Sequence, residues 1–152
     1  MKFVLFVFCL MVFSNSLSQN DFSEAGARQI IDTFFEGFHQ GDSDKMKSVM
    51  AENMVMQTVF TNKNGKNSLA TTNTEEFLHA VATLSTAQKW EERLLDYAVR
   101  IDGNLAHVWT PYQFFLDGSL SHCGANSFTL AKLGKGWKII HVIDSRRNVG
   151  CR

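Results

Sequence analysis

His122, Asp144 and Arg146, near the end of the chain, are residue types that can do chemistry together. His122 can titrate near neutral pH and move a proton. Asp144 can orient that imidazole or act as a base. Arg146 can hold a carboxylate or enolate oxygen through its planar fork. Trp109 and Tyr112 can stack on a flat substrate. Whether these groups meet depends on strand register. Asp117-Gly118 reads as a two-residue hairpin loop, which sets Gln113 opposite His122 and Trp109 opposite Asn126. A three-residue loop over residues 134–136 sets Asn126 opposite Asp144 and Gly124 opposite Arg146. Side chains alternate faces along a strand, so Trp109, Gln113, His122, Asn126, Asp144 and Arg146 then share one face. A slip of one residue scatters the set. On this reading His122 and Asp144 are the catalytic candidates, and Trp109, Tyr112, Asn126 and Arg146 are the ligand-binding candidates. Gly124, lacking a side chain, leaves room for a ligand or a bulge.

Blander readings compete. An aspartate beside Arg146 and Arg147 at a strand end is commonly a surface ion-pair cluster. His122 can be a satisfied structural histidine, and Trp109 can belong to the core or a dimer face. His39 ends a helix and can meet its free carbonyls. His79, His107 and His141 have no ligand-like spacing. No metal site is expected, because no CxxC or HExxH occurs. No cofactor is expected either: the chain has no phosphate-cradling glycine loop and no G-x-S-x-G elbow.

The elements that must position these residues are legible. "DFSEAGARQIIDTFFEGFHQGD" carries apolar residues at the spacing of an amphipathic helix, with Ser23 as N-cap and Gly41 ending it. "DSDKMKSVMAENM" predicts a second short helix capped by Ser43. "MVMQTVFT" predicts a strand, "NKNG" a hairpin turn, and a short return strand follows near Ser68–Thr71. "NTEEFLHAVATL" predicts a third helix with Asn73 or Thr74 as its cap. Four strands follow, separated by glycine turns: "QKWEERLLDYAVRI", "LAHVWTPYQFFL", "LSHCGANSFTLAKL" and "WKIIHVIDS". Strands this long curve or twist. The expected class is α+β, a strongly curved antiparallel sheet wrapped around three helices, with a pocket at the open end of the cone.

A length of 152 residues predicts one domain, and thirteen phenylalanines against one proline predict a packed core. Formal net charge is zero. No basic field is available for nucleic acid or an anionic membrane. Residues 1–18 read as a secretory leader, with Lys2, an uncharged apolar run over residues 3–13, and small residues before a cleavage near Ser18. The run is too short for a stable membrane anchor. A secreted or periplasmic domain over residues 19–152 is expected. In an oxidising compartment Cys123 and Cys151 can pair or remain thiols. The same register puts Arg147 opposite Cys123, and a turn through "NVG" can return Cys151 to it. A bridge would contribute about 3 kcal/mol in the chain-entropy model.

The element order, "FFEGFHQGDSDKMKSVMAENMVMQTVF" and the closing "SFTLAKLGKGWKIIHVIDS" resemble the nuclear transport factor 2-like superfamily, which includes SnoaL-like and ketosteroid-isomerase-like cone folds. The resemblance covers about residues 20–147. The leader and the "SHCG … DSRR" ending are similar to an exported bacterial branch. The resemblance implies a pocket and a homodimer formed through the sheet face, but no particular reaction. Three functions stay open: a binder of a small, partly apolar molecule, an isomerase or dehydratase using His122 and Asp144, and a dimerisation module without catalysis.

Overall fold

The computed structural model describes residues 22–84 and 88–151. The leader read over residues 1–18 lies outside the described residues. Helix α1 (Glu24–Gln40) opens the domain, its first turn capped by Ser23 Oγ, which accepts from Gly26 N at 3.1 Å. Gly41 ends it in the left-handed region, φ 70°, where its N–H reaches the last carbonyls. Helix α2 (Ser43–Val49) is capped by Asp42 and not by Ser43: Asp42 Oδ1 accepts from Lys45 N at 2.9 Å. A carboxylate at a helix start also meets the positive end of the dipole. Strand β1 (Met50–Thr61) turns back into β2 (Asn67–Thr72), one residue longer at each end than the sequence indicates. Helix α3 (Thr74–Ala82) is capped by Asn73.

Five further strands complete the sheet: β3 (Trp90–Leu94), β4 (Ala98–Asp102), β5 (Leu105–Leu116), β6 (Ser119–Leu133) and β7 (Gly136–Arg147). The segment read as one strand over residues 88–101 is thus two. Both halves pair with β5, and the break falls opposite Pro111, whose carbonyl accepts from Leu95 N. Proline has no N–H to return that bond, so the ladder interrupts there. The strand order is β2-β1-β7-β6-β5-β3, with β4 beside β3 on β5. The two ends of this order do not meet, so the sheet is open. It is also mixed and not wholly antiparallel, because β1 runs parallel to β7.

Bulges bend the long strands. One lies at Ser121, where β5 pairs shift between Phe114 and Phe115, and another lies on β7 opposite Thr129. The concave face receives α1. Phe34, Phe35 and Phe38 follow the helical spacing, are buried, and meet Phe128 and Phe77 edge-on or stacked. These rings, with Leu130 and Ile139 from the sheet, are the core that holds helix to sheet.

Candidate functional site

The α1 rings do not fill the cone. Between them, α3 and the concave faces of β5, β6 and β7 lies a cavity of about 470 Å³. Its walls are rich in aromatic rings, and polar side chains from several strands stand among them. Tyr112 and Phe114 come from β5, His122 and Asn126 from β6, Asp144 and Arg146 from β7, and Glu92 from β3.

Asp144 is the most heavily contacted of these. Thr58 Oγ1 donates to its Oδ1 at 2.5 Å, and Tyr112 Oη donates to its Oδ2 at 2.8 Å. Arg146 Nε stands 3.7 Å from Oδ2. Burial and the Asp144 charge push the Tyr112 phenol well above its ordinary range, so it remains a donor.

Glu92 is a second acid in the same cavity. Asn126, itself only 5% exposed, donates from Nδ2 to Glu92 Oε1 at 2.7 Å. Burial pushes the Glu92 carboxyl up to about 8, against the opposing pull of the Asn126 amide, with the Asp144 charge adding to the rise. At neutral pH Glu92 therefore holds a proton and can donate it. Its backbone is pinned from α1, where His39 Nε2 accepts from Glu92 N at 3.0 Å. Burial lowers the His39 pKa, which suits an imidazole that must accept at this nitrogen.

His122 lies in the cavity, stacked on Phe114 with ring centroids 4.7 Å apart. Its Nδ1 meets Ser121 Oγ at 3.1 Å. Burial, then the Arg146 charge, lowers its pKa to about 4, so its ring is neutral through the physiological range. Asp144 is occupied by Thr58 and Tyr112 and does not orient the His122 ring.

The structure therefore brings His122, Tyr112, Asn126, Asp144 and Arg146 to one cavity. Trp109 is elsewhere. Asn126 stands opposite Asp144 as read, although the turn before it is two residues and not three, with the β7 bulge at Ile140 making up the difference; on the other side the Ser121 bulge advances β5 by one residue. Thr110 then faces Asn126 and Phe114 faces His122, while Trp109 and Gln113 turn to the other side of the sheet. Trp109 is 44% exposed there. Glu92 is the residue sequence reasoning missed. Its signal was a period of two: Trp90 and Leu94 pack on the core, so the acid between them faces inward as well. Gly124 leaves no room for a ligand. A Cβ built there meets Ser145 O at 1.7 Å and Tyr112 Cε1 at 2.8 Å.

Where the strands end, Cys123 and Cys151 are joined by a disulfide, Cα–Cα 5.6 Å, which ties the chain end back to β6. His107 and His141 each have a polar neighbour, Ser127 Oγ at 2.8 Å and Gln57 Oε1 at 3.2 Å. Among the described residues, no group of three or more His, Cys, Asp or Glu is placed to hold a metal ion.

A family model for the SnoaL-like domain matches residues 27–146. The chain belongs to the SnoaL-like domain family. No relative among the curated proteins matches it. Solved structures do resemble this SnoaL-like domain. A nuclear transport factor 2-like protein with a cystatin-like fold from Novosphingobium aromaticivorans is 16% identical, with TM-score 0.61 over 82% of each chain. A candidate dehydratase of the same superfamily from Streptomyces avermitilis is 17% identical, with TM-score 0.58 over 80% of this chain and 93% of the other. A protein of unknown function from Pseudomonas putida is 17% identical, with TM-score 0.61 over 80% and 84%. Identities this low show the shared fold, and the fold hosts many chemistries.

Proposed function

We propose that this SnoaL-like domain binds a small, partly apolar molecule inside its cone. The supporting observation is the cavity of about 470 Å³, walled by aromatic rings together with polar side chains that include Glu92, Asn126 and Asp144. That is the form of a small-molecule site. Those polar groups are held by other protein groups, so they are set before a ligand arrives. The test is a thermal-shift screen of the chain from residue 19 onward against small aromatic and isoprenoid metabolites. A binder at a hundredfold excess over its Kd adds about 2.7 kcal/mol, a shift of several degrees. The shift should vanish in Val142→Trp, which fills the cavity from β7. The reading fails if no compound shifts the wild type, or if the shift survives in the filled variant.

A second reading is a proton-transfer enzyme of the isomerase or dehydratase type. It is favoured by two acids in one cavity with different surroundings, Glu92 raised by burial so that it holds its proton and Asp144 accepting from Thr58 and Tyr112. Asp144 would take a proton from a carbon beside a carbonyl, and Glu92 would donate to the oxygen that gains charge. In a dehydration the same Glu92 proton would leave with the departing hydroxyl as water. His122, neutral here, would position the substrate. The assay is deuterium exchange at carbons beside a carbonyl, catalysed by wild type and lost in Glu92→Gln and Asp144→Asn. Equal exchange in all three would end this reading.

Export and self-association belong to the same proposal. The Cys123–Cys151 disulfide supports an oxidising compartment. Exposed Trp109, Leu105 and Leu133, which share the outer sheet face, support a homodimer through that face.

A further inference from the structure

A second cavity, about 460 Å³, opens where β7 runs out, beside the β1–β2 hairpin. It adjoins the cone: Thr58, Thr72 and Arg146 border both. Strand register settles which side chains of the hairpin share the concave face. Asp144 belongs to the cone, and its β1 partner Thr58 donates to it from the same face. Ala70 on β2 pairs with Thr58 and shares that face. Two residues along β1, Phe60 pairs with Arg146; two residues back, Met56 pairs with Thr72. Side chains return to one face every second residue, so Phe60, Thr72 and Arg146 are on the concave face as well. Arg147, one residue on and paired with Cys123, leaves from the convex face.

These side chains continue the floor of the cone past Thr58 as a shelf. Phe60, half-buried, is its one aromatic ring among the described residues. Arg146 meets Asp144 only through Nε at 3.7 Å, and its side chain is 48% exposed. That leaves the guanidinium's terminal N–H groups for another acceptor. The Thr72 hydroxyl has no hydrogen-bond partner among the described residues. Past the end of β7, Asn148 and Val149 border the same mouth, on a segment tied to β6 by the Cys123–Cys151 disulfide. A ligand confined to the cone would not reach Phe60, which borders the second cavity and not the first.

We propose that the shelf is a second subsite and that the ligand is elongated: an apolar body in the cone, joined to an uncharged, oxygen-bearing part that lies over Phe60 and accepts from Arg146 and Thr72. This assignment rests on the binding reading above and names the ligand class, of which an aryl glycoside is the model. A sugar ring offers an apolar C–H face to an aromatic ring and hydroxyl oxygens to donors at its rim. The Asp144 carboxylate beside Arg146 takes up part of the guanidinium charge and repels a second anion, which favours an uncharged oxygen there.

A matched pair of competitors tests it. Phenylnaphthylamine, an uncharged dye that brightens in apolar sites, reports occupancy of the cone. β-Naphthyl methyl ether and β-naphthyl glucoside share one aromatic body and differ by the sugar. Both are titrated against the bound dye in wild type and in Ala70→Trp. Ala70 borders the second cavity and not the cone, so tryptophan there fills the shelf alone. In wild type both compounds should displace the dye, the glucoside about tenfold more tightly, the worth of one hydrogen bond to a charged group. Ala70→Trp should remove that advantage and leave the dye and the ether unchanged. Unchanged dye binding also reports that the variant is folded. If the dye binds but the glucoside is no tighter than the ether, or keeps its advantage in Ala70→Trp, the shelf subsite is wrong and the cone reading stands. Equal weakening of both competitors in Ala70→Trp contradicts the subsite as well, since the loss is then not confined to the shelf. If the dye does not bind wild type, the cone reading fails and the subsite falls with it.

Discussion

Tyr112 Oη donates to Asp144 Oδ2 at 2.8 Å, joining β5 to β7 across the intervening strand β6. The β6 residue paired with Tyr112 is Gly124, and a Cβ at that position would stand 2.8 Å from the Tyr112 ring and 1.7 Å from the Ser145 carbonyl oxygen. The Tyr112–Asp144 contact therefore depends on a missing side chain as much as on the groups present. Tyr112→Phe keeps the ring and removes one donor from a partly buried carboxylate. It should lower stability by about 1–3 kcal/mol, read from urea unfolding at neutral pH.

Gly124→Ala tests the same relationship from the other side. The added methyl meets the Ser145 carbonyl and the Tyr112 ring, and a backbone oxygen cannot move away cheaply. A loss of about 2–4 kcal/mol is expected. A Gly124→Ala chain as stable as wild type would mean that β6 and β7 can separate there without cost.

Glu92→Gln should change how stability depends on pH. The folded carboxyl sits at about 8 against an ordinary value of 4.5, so between these values the folded chain binds more protons than the unfolded one. Its contribution is full below pH 4.5 and is lost as pH rises through 8. Glutamine can still accept from Asn126 and does not titrate. The variant should therefore gain on wild type as pH rises, by about 1–2 kcal/mol at pH 8 once solvent screening is allowed for. The gap should close near pH 4.5. Parallel melting-temperature curves from pH 4 to 9 would contradict a buried, proton-holding Glu92.

Much of this arrangement was legible in the sequence. Ser23 and Gly41 mark α1 because their chemistry is local, and the Asp117-Gly118 and Gly134–Gly136 turns mark the last hairpins. The β6–β7 register at Asn126 and Asp144 agrees with the reading through two departures that cancel: Leu133 pairs with Gly136, so the turn is one residue shorter than read, and the bulge at Ile140 on β7 restores the count. The β5–β6 register does not agree, since Ser121 adds one residue just past the first turn and carries Trp109 to the outer face. A bulge at a serine has no composition signal. The parallel pairing of β1 with β7 was equally hidden, because strands about ninety residues apart share no turn. Glu92 went unnoticed for a different reason: a charged residue in "WEER" reads as solvated until its neighbours are known to face inward.

The Cys123–Cys151 bridge spans 28 residues and ties down the chain end beside the mouth. Its removal in Cys123→Ala/Cys151→Ala should cost about 3 kcal/mol by loop-closure entropy, measured as a fall in thermal midpoint. Reductant should lower the wild-type midpoint by a similar amount and leave the variant's unchanged. A reductant effect of equal size on both chains would exclude the bridge as its source.

Occupancy of the cone is read most directly by intermolecular nuclear Overhauser effects from bound phenylnaphthylamine. Contacts to the ring protons of Phe34, Phe128 and Tyr112 are predicted, since these line the cavity. Contacts confined to Trp109, Leu105 and Leu133 would place the dye on the outer face of the sheet and contradict the assignment of the cone as the binding site.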